Sequence, residues 1–337
     1  MRKLIPTLLL ATLTLTVCAQ KNQEVKPLVP KEVAERLIPQ FKPAAFWPVT
    51  VLNMENIRSV RKKEQERTIP VLKNADSVDI TYINIPGLNP KDPEIPIRIY
   101  KPKHLTLAPL LLLFHGGGFI YGDLNSDHQM AANTAIRAGV VVVSVQYRLA
   151  PENIYPAGVN DGYAALLWSV KHAAEIGADP KHIAVGGGSA GAAVAGTVVL
   201  SARDRNGPKI GLQVLLFPPA DLDTTRTSVV EYYNIPGVKG ADISPLLNMY
   251  IGADNVKKGL IPDHALPGLA KNLQGLPPTY VVTCGVDPLR DGALDYANRL
   301  IATGIPVELH NYPGYPHGAL PDRFYGEFYS ILNQYLK

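Results

Sequence analysis

Five largely apolar runs of strand length mark the middle and end of the chain: residues 110–114, 140–145, 183–185, 212–217 and 280–284. Stretches with helical patterning, such as 158–175 and 190–203, separate them. Apolar strands that alternate with helices predict a parallel sheet buried on both faces, the α/β class. Two segments with period-two alternation, 78–85 and 95–100, come first, divided by Pro86-Gly87 and Asn89-Pro90. They read as an antiparallel pair at one sheet edge. An alternating run at 307–312 supplies the last strand. In such sheets ligands gather at the carboxyl ends of the strands, so the residues that follow each run carry the functional information.

The N-terminal part has a different texture. Arg2 and Lys3 precede an apolar stretch at 4–17 containing four threonines, and Val17-Cys18-Ala19 offers a small-residue cleavage site before Gln20. Residues 1–19 therefore read as an export signal removed after Ala19, which places the mature protein in the periplasm or outside the cell. A lipidated Cys18 is the second reading, disfavoured by the bulk of Val17. The stretch is shorter than the about 20 apolar residues a spanning helix needs, so no stable membrane span is expected. Residues 20–75 are rich in proline and charge, with apolar positions at helical spacing around Val33, Leu37 and Phe41 and again over 51–60. They read as helices lying over the main domain, 76–337.

Composition narrows the function classes. At 337 residues, 46% hydrophobic and 18% charged, the chain can bury one large core. A net charge of +4 without a run of like charges gives nucleic acid no footprint. Beside Cys18, Cys284 is the only thiol, so the exported form has no intrachain disulfide. No His, Cys or carboxylate cluster has metal-ligand spacing, and neither a metal nor a cofactor is expected.

Between the run ending at Val185 and an alanine-rich helix lies Gly187-Gly188-Ser189-Ala190-Gly191, a G-x-S-x-G elbow. A hydroxyl attacks a carbonyl when it is exposed, close to a base and faced by donors for the developing oxyanion. After residues 110–114 comes His115-Gly116-Gly117-Gly118-Phe119, an HGGG loop whose bare backbone can supply those donors. His115 itself reads as a loop-shaping hydrogen bonder. Gly186-x-Gly188-x-x-Gly191 also fits a dinucleotide fingerprint, but the acidic partner is missing. Asp221 stands 30 residues past Gly191 instead of about 20.

The base and its orienter should lie downstream at strand ends. Asp287, after the run 280–284, opens Asp287-Pro288-Leu289-Arg290-Asp291 and is preferred to Asp291, which falls a turn into the following helix. Of the eight histidines, three follow Ser189. His264 sits among prolines in a surface loop, and His310 lies inside a strand. His317, in Tyr312-Pro313-Gly314-Tyr315-Pro316-His317-Gly318, stands where a base can be held at the mouth of a site. The order Ser189, Asp287, His317 is that of α/β-hydrolases.

Taken together these motifs resemble the hormone-sensitive-lipase-like group of α/β-hydrolase serine esterases. The resemblance spans about residues 95–320 and also rests on Tyr147-Arg148-Leu149-Ala150-Pro151-Glu152, Tyr155-Pro156-Ala157, Asp161 and Gly275-Leu276-Pro277-Pro278. It implies an α/β-hydrolase fold, with a mostly parallel sheet, helices on both faces and a helical cap. It implies a cap built from the N-terminal segment and an insertion near 222–262. Matched by position, it implies Ser189 as nucleophile, Asp287 and His317 as its partners, and Gly116, Gly117 and Ala190 as oxyanion donors. The chain departs from the group's pattern at Gly188, where Asp is usual, at Gln146, where an acid is frequent, and at Ala319, where Phe is frequent. The expected reaction is hydrolysis of a small ester with short-to-medium acyl groups through an acyl-enzyme. Acetylated carbohydrate is the alternative substrate, and a non-catalytic ligand-binding module the alternative class. Phe119, Tyr121 and Tyr147, beside the motif loops, are candidates for the pocket wall.

Overall fold

Period-two patterning decides which layer each central side chain enters. In the computed structural model, which describes residues 29–46, 52–69, 71–72, 74–235 and 237–337, Leu110, Leu112 and Phe114 face one apolar layer and Leu111 and Leu113 the other. The strand is apolar throughout because both faces are covered. The expected export signal and Cys18 lie outside the described residues.

Eight strands form one sheet: β1 (Val78–Ile85), β2 (Ile95–Pro102), β3 (Ala108–Phe114), β4 (Val141–Val145), β5 (Ala178–Gly188), β6 (Leu212–Leu216), β7 (Thr279–Val286) and β8 (Val307–Pro316). Their order is β1-β2-β4-β3-β5-β6-β7-β8. Strand β2 is antiparallel to β1 and to β4, and every other pair is parallel. The helices are α1 (Lys31–Arg36), α2 (Ile57–Gln65), α3 (His128–Thr134), α4 (Ala157–Lys171), α5 (Ala173–Ile176), α6 (Ala190–Asp204), α7 (Thr227–Glu231), α8 (Gly240–Ile251), α9 (Ala253–Lys257), α10 (Arg290–Ala302) and α11 (Asp322–Leu336). One face of the sheet is covered through Leu166 of α4, Val198 of α6 and Leu300 of α10. The opposite face meets Ala131 of α3 and Phe324, Phe328 and Leu332 of α11.

Three elements differ from the sequence expectation, each for a local reason. Strand β5 starts at Ala178 rather than 183, because Ala178 and Asp179 pair with Ala108 and Pro109 before a register shift at Pro109/Leu110. Strand β8 runs through two prolines to Pro316, pairing Tyr312 with Cys284 and Pro316 with Val286. It is an edge strand, where a missing N–H donor is tolerated. The helical pattern of 158–175 divides at His172 into α4 and α5.

The N-terminal helices rest on the segment carrying α7 and α8. Val33 and Leu37 pack with Tyr232, Ile235 and Val286, and Ile57 packs with Ile120, Leu246 and Met249. Polar bonds fasten the contact. The Leu52 amide donates to Asp242 Oδ1 at 2.8 Å, and Asp242 is buried in an ion pair with Lys239 at 2.8 Å. Arg61 donates to the Ile120 and Ala150 carbonyls at 2.6 and 2.7 Å and pairs with Glu152 at 2.7 Å. Among the described residues no helix is long and apolar enough to cross a membrane.

Candidate active site

Three parallel strands deliver three polar side chains to one edge of the sheet. Ser189 stands between β5 and α6 with φ +54° and ψ −125°, a left-handed turn that projects its side chain clear of both elements. The strain is held by tight backbone packing. A Cβ on Gly191 would lie 2.1 Å from the Phe114 carbonyl oxygen, and one on Gly187 would lie 2.5 Å from the same oxygen, so glycine is required at both. The Ser189 amide donates to the Leu216 carbonyl at 2.9 Å, tying the elbow to β6.

Asp287 follows β7 and is fully buried; one carboxylate oxygen accepts the Leu289 amide at 2.9 Å. Its other oxygen lies 2.8 Å from His317 Nδ1, and His317 Nε2 lies 2.8 Å from Ser189 Oγ. A carboxylate can only accept, so Nδ1 carries the ring proton and Nε2 is left to accept the serine hydroxyl. His317 is well buried, with Phe217 edge-on at 5.0 Å between ring centroids. Below it the buried thiol of Cys284, pushed up by its apolar surroundings, donates to the Ala319 carbonyl at 3.4 Å.

The remaining candidates separate cleanly. His310 is held between Glu308 at 3.0 Å and Glu327 at 3.1 Å, and His264 faces Asp204 at 3.4 Å, so neither reaches Ser189. Asp291 accepts the Ser228 amide at 2.8 Å and pairs with Arg290, joining α10 to α7. Asp221 is paired with Arg226 at 2.6 Å.

The glycine loop after β3 passes directly beside the serine. A Cβ on Gly116 would sit 3.5 Å from Ser189 Cβ, and Gly117 takes φ +118° against the Tyr121 carbonyl. Ala190 opens α6, where an amide has no acceptor within its own helix. His115 fixes the loop from behind. Its Nδ1–H donates to the Gly116 carbonyl at 2.7 Å, and its ring stacks on Tyr147 at 4.4 Å. The Tyr147 hydroxyl donates to the His115 carbonyl at 2.7 Å. Burial lowers His115 to about 4, so the ring is neutral.

A cavity of about 280 Å³ opens onto Ser189 and His317. Its walls are mainly apolar: Leu52, Phe119, Phe217, Val238, Ile243, Leu246, Leu247 and Leu289. Phe119 and Tyr121 line it, whereas Tyr147 is a buried brace for the loop. The departure at Gly188 has a spatial counterpart, since a Cβ there would meet the Phe217 ring at 3.3 Å. Phe217 fills the space that a longer side chain at 188 would enter.

Asp127, in the wall of the same cavity, was not among the residues singled out from the sequence. Burial raises its carboxyl to about 6, against a smaller downward pull from Arg67. The aliphatic wall residues were equally hidden, because the direction of a short cap helix is set by what it packs on.

Residues 111–321 match the family described as alpha/beta hydrolase fold. The chain belongs to this family. Within the α/β-hydrolases it is a member of the hormone-sensitive-lipase-like group, as the motifs implied. It is 41% identical over 224 residues to esterase LipI of Mycobacterium tuberculosis, spanning 66% of this chain and 69% of that protein. To carboxylesterase NlhH of the same organism it is 37% identical over 275 residues, 81% and 85% of the two chains. Among solved structures, a bacterial heroin esterase superposes with a TM-score of 0.84 at 34% identity, covering 90% of this chain and 99% of that one. Esterase LipW of Mycobacterium marinum follows with a TM-score of 0.81 at 32% identity, covering 91% and 98%.

Proposed function

We propose that this α/β-hydrolase is an exported serine carboxylesterase that cleaves small esters with short-to-medium acyl groups. One observation carries the reading: Ser189 Oγ, His317 and Asp287 form an unbroken chain of two 2.8 Å hydrogen bonds at the mouth of an apolar cavity. His317 Nε2 takes the hydroxyl proton as Ser189 Oγ bonds to the ester carbonyl carbon. Asp287 holds the ring in the tautomer that accepts this proton and offsets the charge the ring gains. The amides of Gly116, Gly117 and Ala190 receive the oxyanion. His317 then gives its proton to the departing alkoxide, leaving the acyl group on Ser189. A water attacks the acyl-enzyme by the same route in reverse and frees the acid.

In this reading residues 20–75 and 222–262 form a cap over the catalytic domain 76–337, and the packing of Ile57 on Leu246 and Met249 supports it. The mainly apolar cavity wall favours alkyl esters over acetylated carbohydrate. The bonded histidine favours catalysis over a ligand-binding module. Incubation with an alkyl organophosphonate is the test: stoichiometric labelling of Ser189, abolished in Ser189→Ala and His317→Ala, is expected. An unlabelled wild-type protein overturns the reading. Export predicts a mature chain beginning at Gln20, whereas lipidation at Cys18 would leave Cys18 at the N-terminus; N-terminal sequencing distinguishes them.

A further inference from the structure

Among the described residues the catalytic cavity contains one carboxylate that nothing in the fold uses. Asp127 lines the wall, yet its carboxylate makes no hydrogen bond and no ion pair among the described residues. It precedes α3 without capping it. Arg67 is turned to Glu64 at 3.7 Å and acts on Asp127 only through its field. The other carboxylate in the wall, Asp221, is paired with Arg226, so the contrast lies within one cavity.

An unpartnered carboxylate in an apolar wall destabilises the protein that carries it, and the cost is recovered only when something binds. The partner must be a donor small enough to enter beside aliphatic side chains. A cationic donor gains most, because charges attract more strongly in a poorly solvated site than in water. We propose that Asp127 is a specificity-determining residue that selects esters carrying a protonated amine, holding the ammonium N–H while Leu246, Leu247 and Ile243 enclose its alkyl groups. This rests on the esterase reading above and names the substrate class for that site. Burial that raises the Asp127 carboxyl to about 6 fits an acid lacking the partner that would stabilise its charge.

The test compares dimethylaminoethyl acetate with isopentyl acetate, an isostere in which carbon replaces the charged nitrogen. At neutral pH the wild-type protein should prefer the ammonium ester in kcat/KM. A charge-assisted hydrogen bond is commonly worth tenfold or more, so Asp127→Asn should lower the ratio by roughly an order of magnitude, mainly through KM. Asp127→Glu should keep much of the preference. A wild-type protein that does not favour the ammonium ester, or an Asp127→Asn protein with an unchanged ratio, overturns the proposal. Calorimetric titration of the Ser189→Ala protein with the two esters gives the same comparison as a ratio of Kd values. Recognition and catalysis can then fail separately: equal Kd values refute the role of Asp127, and unequal Kd values without turnover refute only the esterase reading.

Discussion

The sheet-edge wall of the cavity and its cap wall are built on different principles. On the sheet side directed bonds set the geometry: Ser189 with His317, His317 with Asp287, Asp287 with the Leu289 amide, and His115 Nδ1 with the Gly116 carbonyl. On the cap side Leu52, Val238, Ile243, Leu246 and Leu247 offer shape without direction, held over the site by Arg61 and by the Leu52–Asp242 bond. Chemistry is sensitive to a fraction of an ångström, and parallel strands supply that precision. Selectivity for an alkyl group needs volume, which short helices can vary without disturbing the reacting atoms.

If that contrast is right, substitutions on the sheet side should fall on turnover. Ser189→Ala is expected to cost about four orders of magnitude or more in kcat, and Asp287→Asn a similar amount by fixing the wrong tautomer. Stopped assays with an active-site titrant measure both. Folding should discriminate between neighbouring glycines. Gly191→Ala pushes a methyl into the Phe114 and His115 carbonyls and should lose about 3 kcal/mol or more, whereas Gly188→Ala meets only the Phe217 ring and should lose about 1 kcal/mol or less. Denaturant melts of the two proteins give the difference, and equal losses would break the contrast.

At Asp127 the expected effect has the opposite sign. Its folded pKa of about 6 lies above the usual 3.8, so between these values the folded protein holds a proton the unfolded chain has lost. Its contribution to stability falls as pH rises through that window and stays low above it. Asp127→Asn should therefore gain about 3 kcal/mol at neutral pH and nothing below pH 3.8. Tyr147, Tyr100 and Tyr325 also lie within its field, and burial raises all three, so they stay neutral throughout that range. Thermal melts across pH check the crossover. Least disruptive should be Arg61→Ala, which loosens the cap at a cost of about 1 kcal/mol and should raise KM more than it lowers kcat.

What the sequence disclosed follows the same division. Ser189 and Asp287 were legible as candidates because each follows an apolar strand, and His317 because it stands at the end of the last, alternating strand, and chemistry restricts the residue types that can stand at such positions. His310 was separable from His317 by its place within an alternating strand. The parallel sheet was legible for a related reason, since both-sided burial leaves no polar position in residues 110–114. Beyond that the patterns fail. The start of β5 at Ala178 depends on pairing with Ala108, and the extent of β8 on pairing with Val286; neither partner is adjacent in sequence. The inward residues of α8 were invisible because a short helix takes its rotation from its neighbours. Asp127 carries no local signal, since its significance lies in the partners it lacks.

His115 has a consequence for any measured rate profile. With its ring uncharged down to about pH 4, the scaffold behind the glycine loop stays the same across the range in which an esterase operates. The proposed oxyanion receptor is made of peptide dipoles and rests on a neutral stack of His115 with Tyr147, so acid removes nothing from it. Activity lost on mild acidification therefore originates in front of the glycine loop and not in the loop itself.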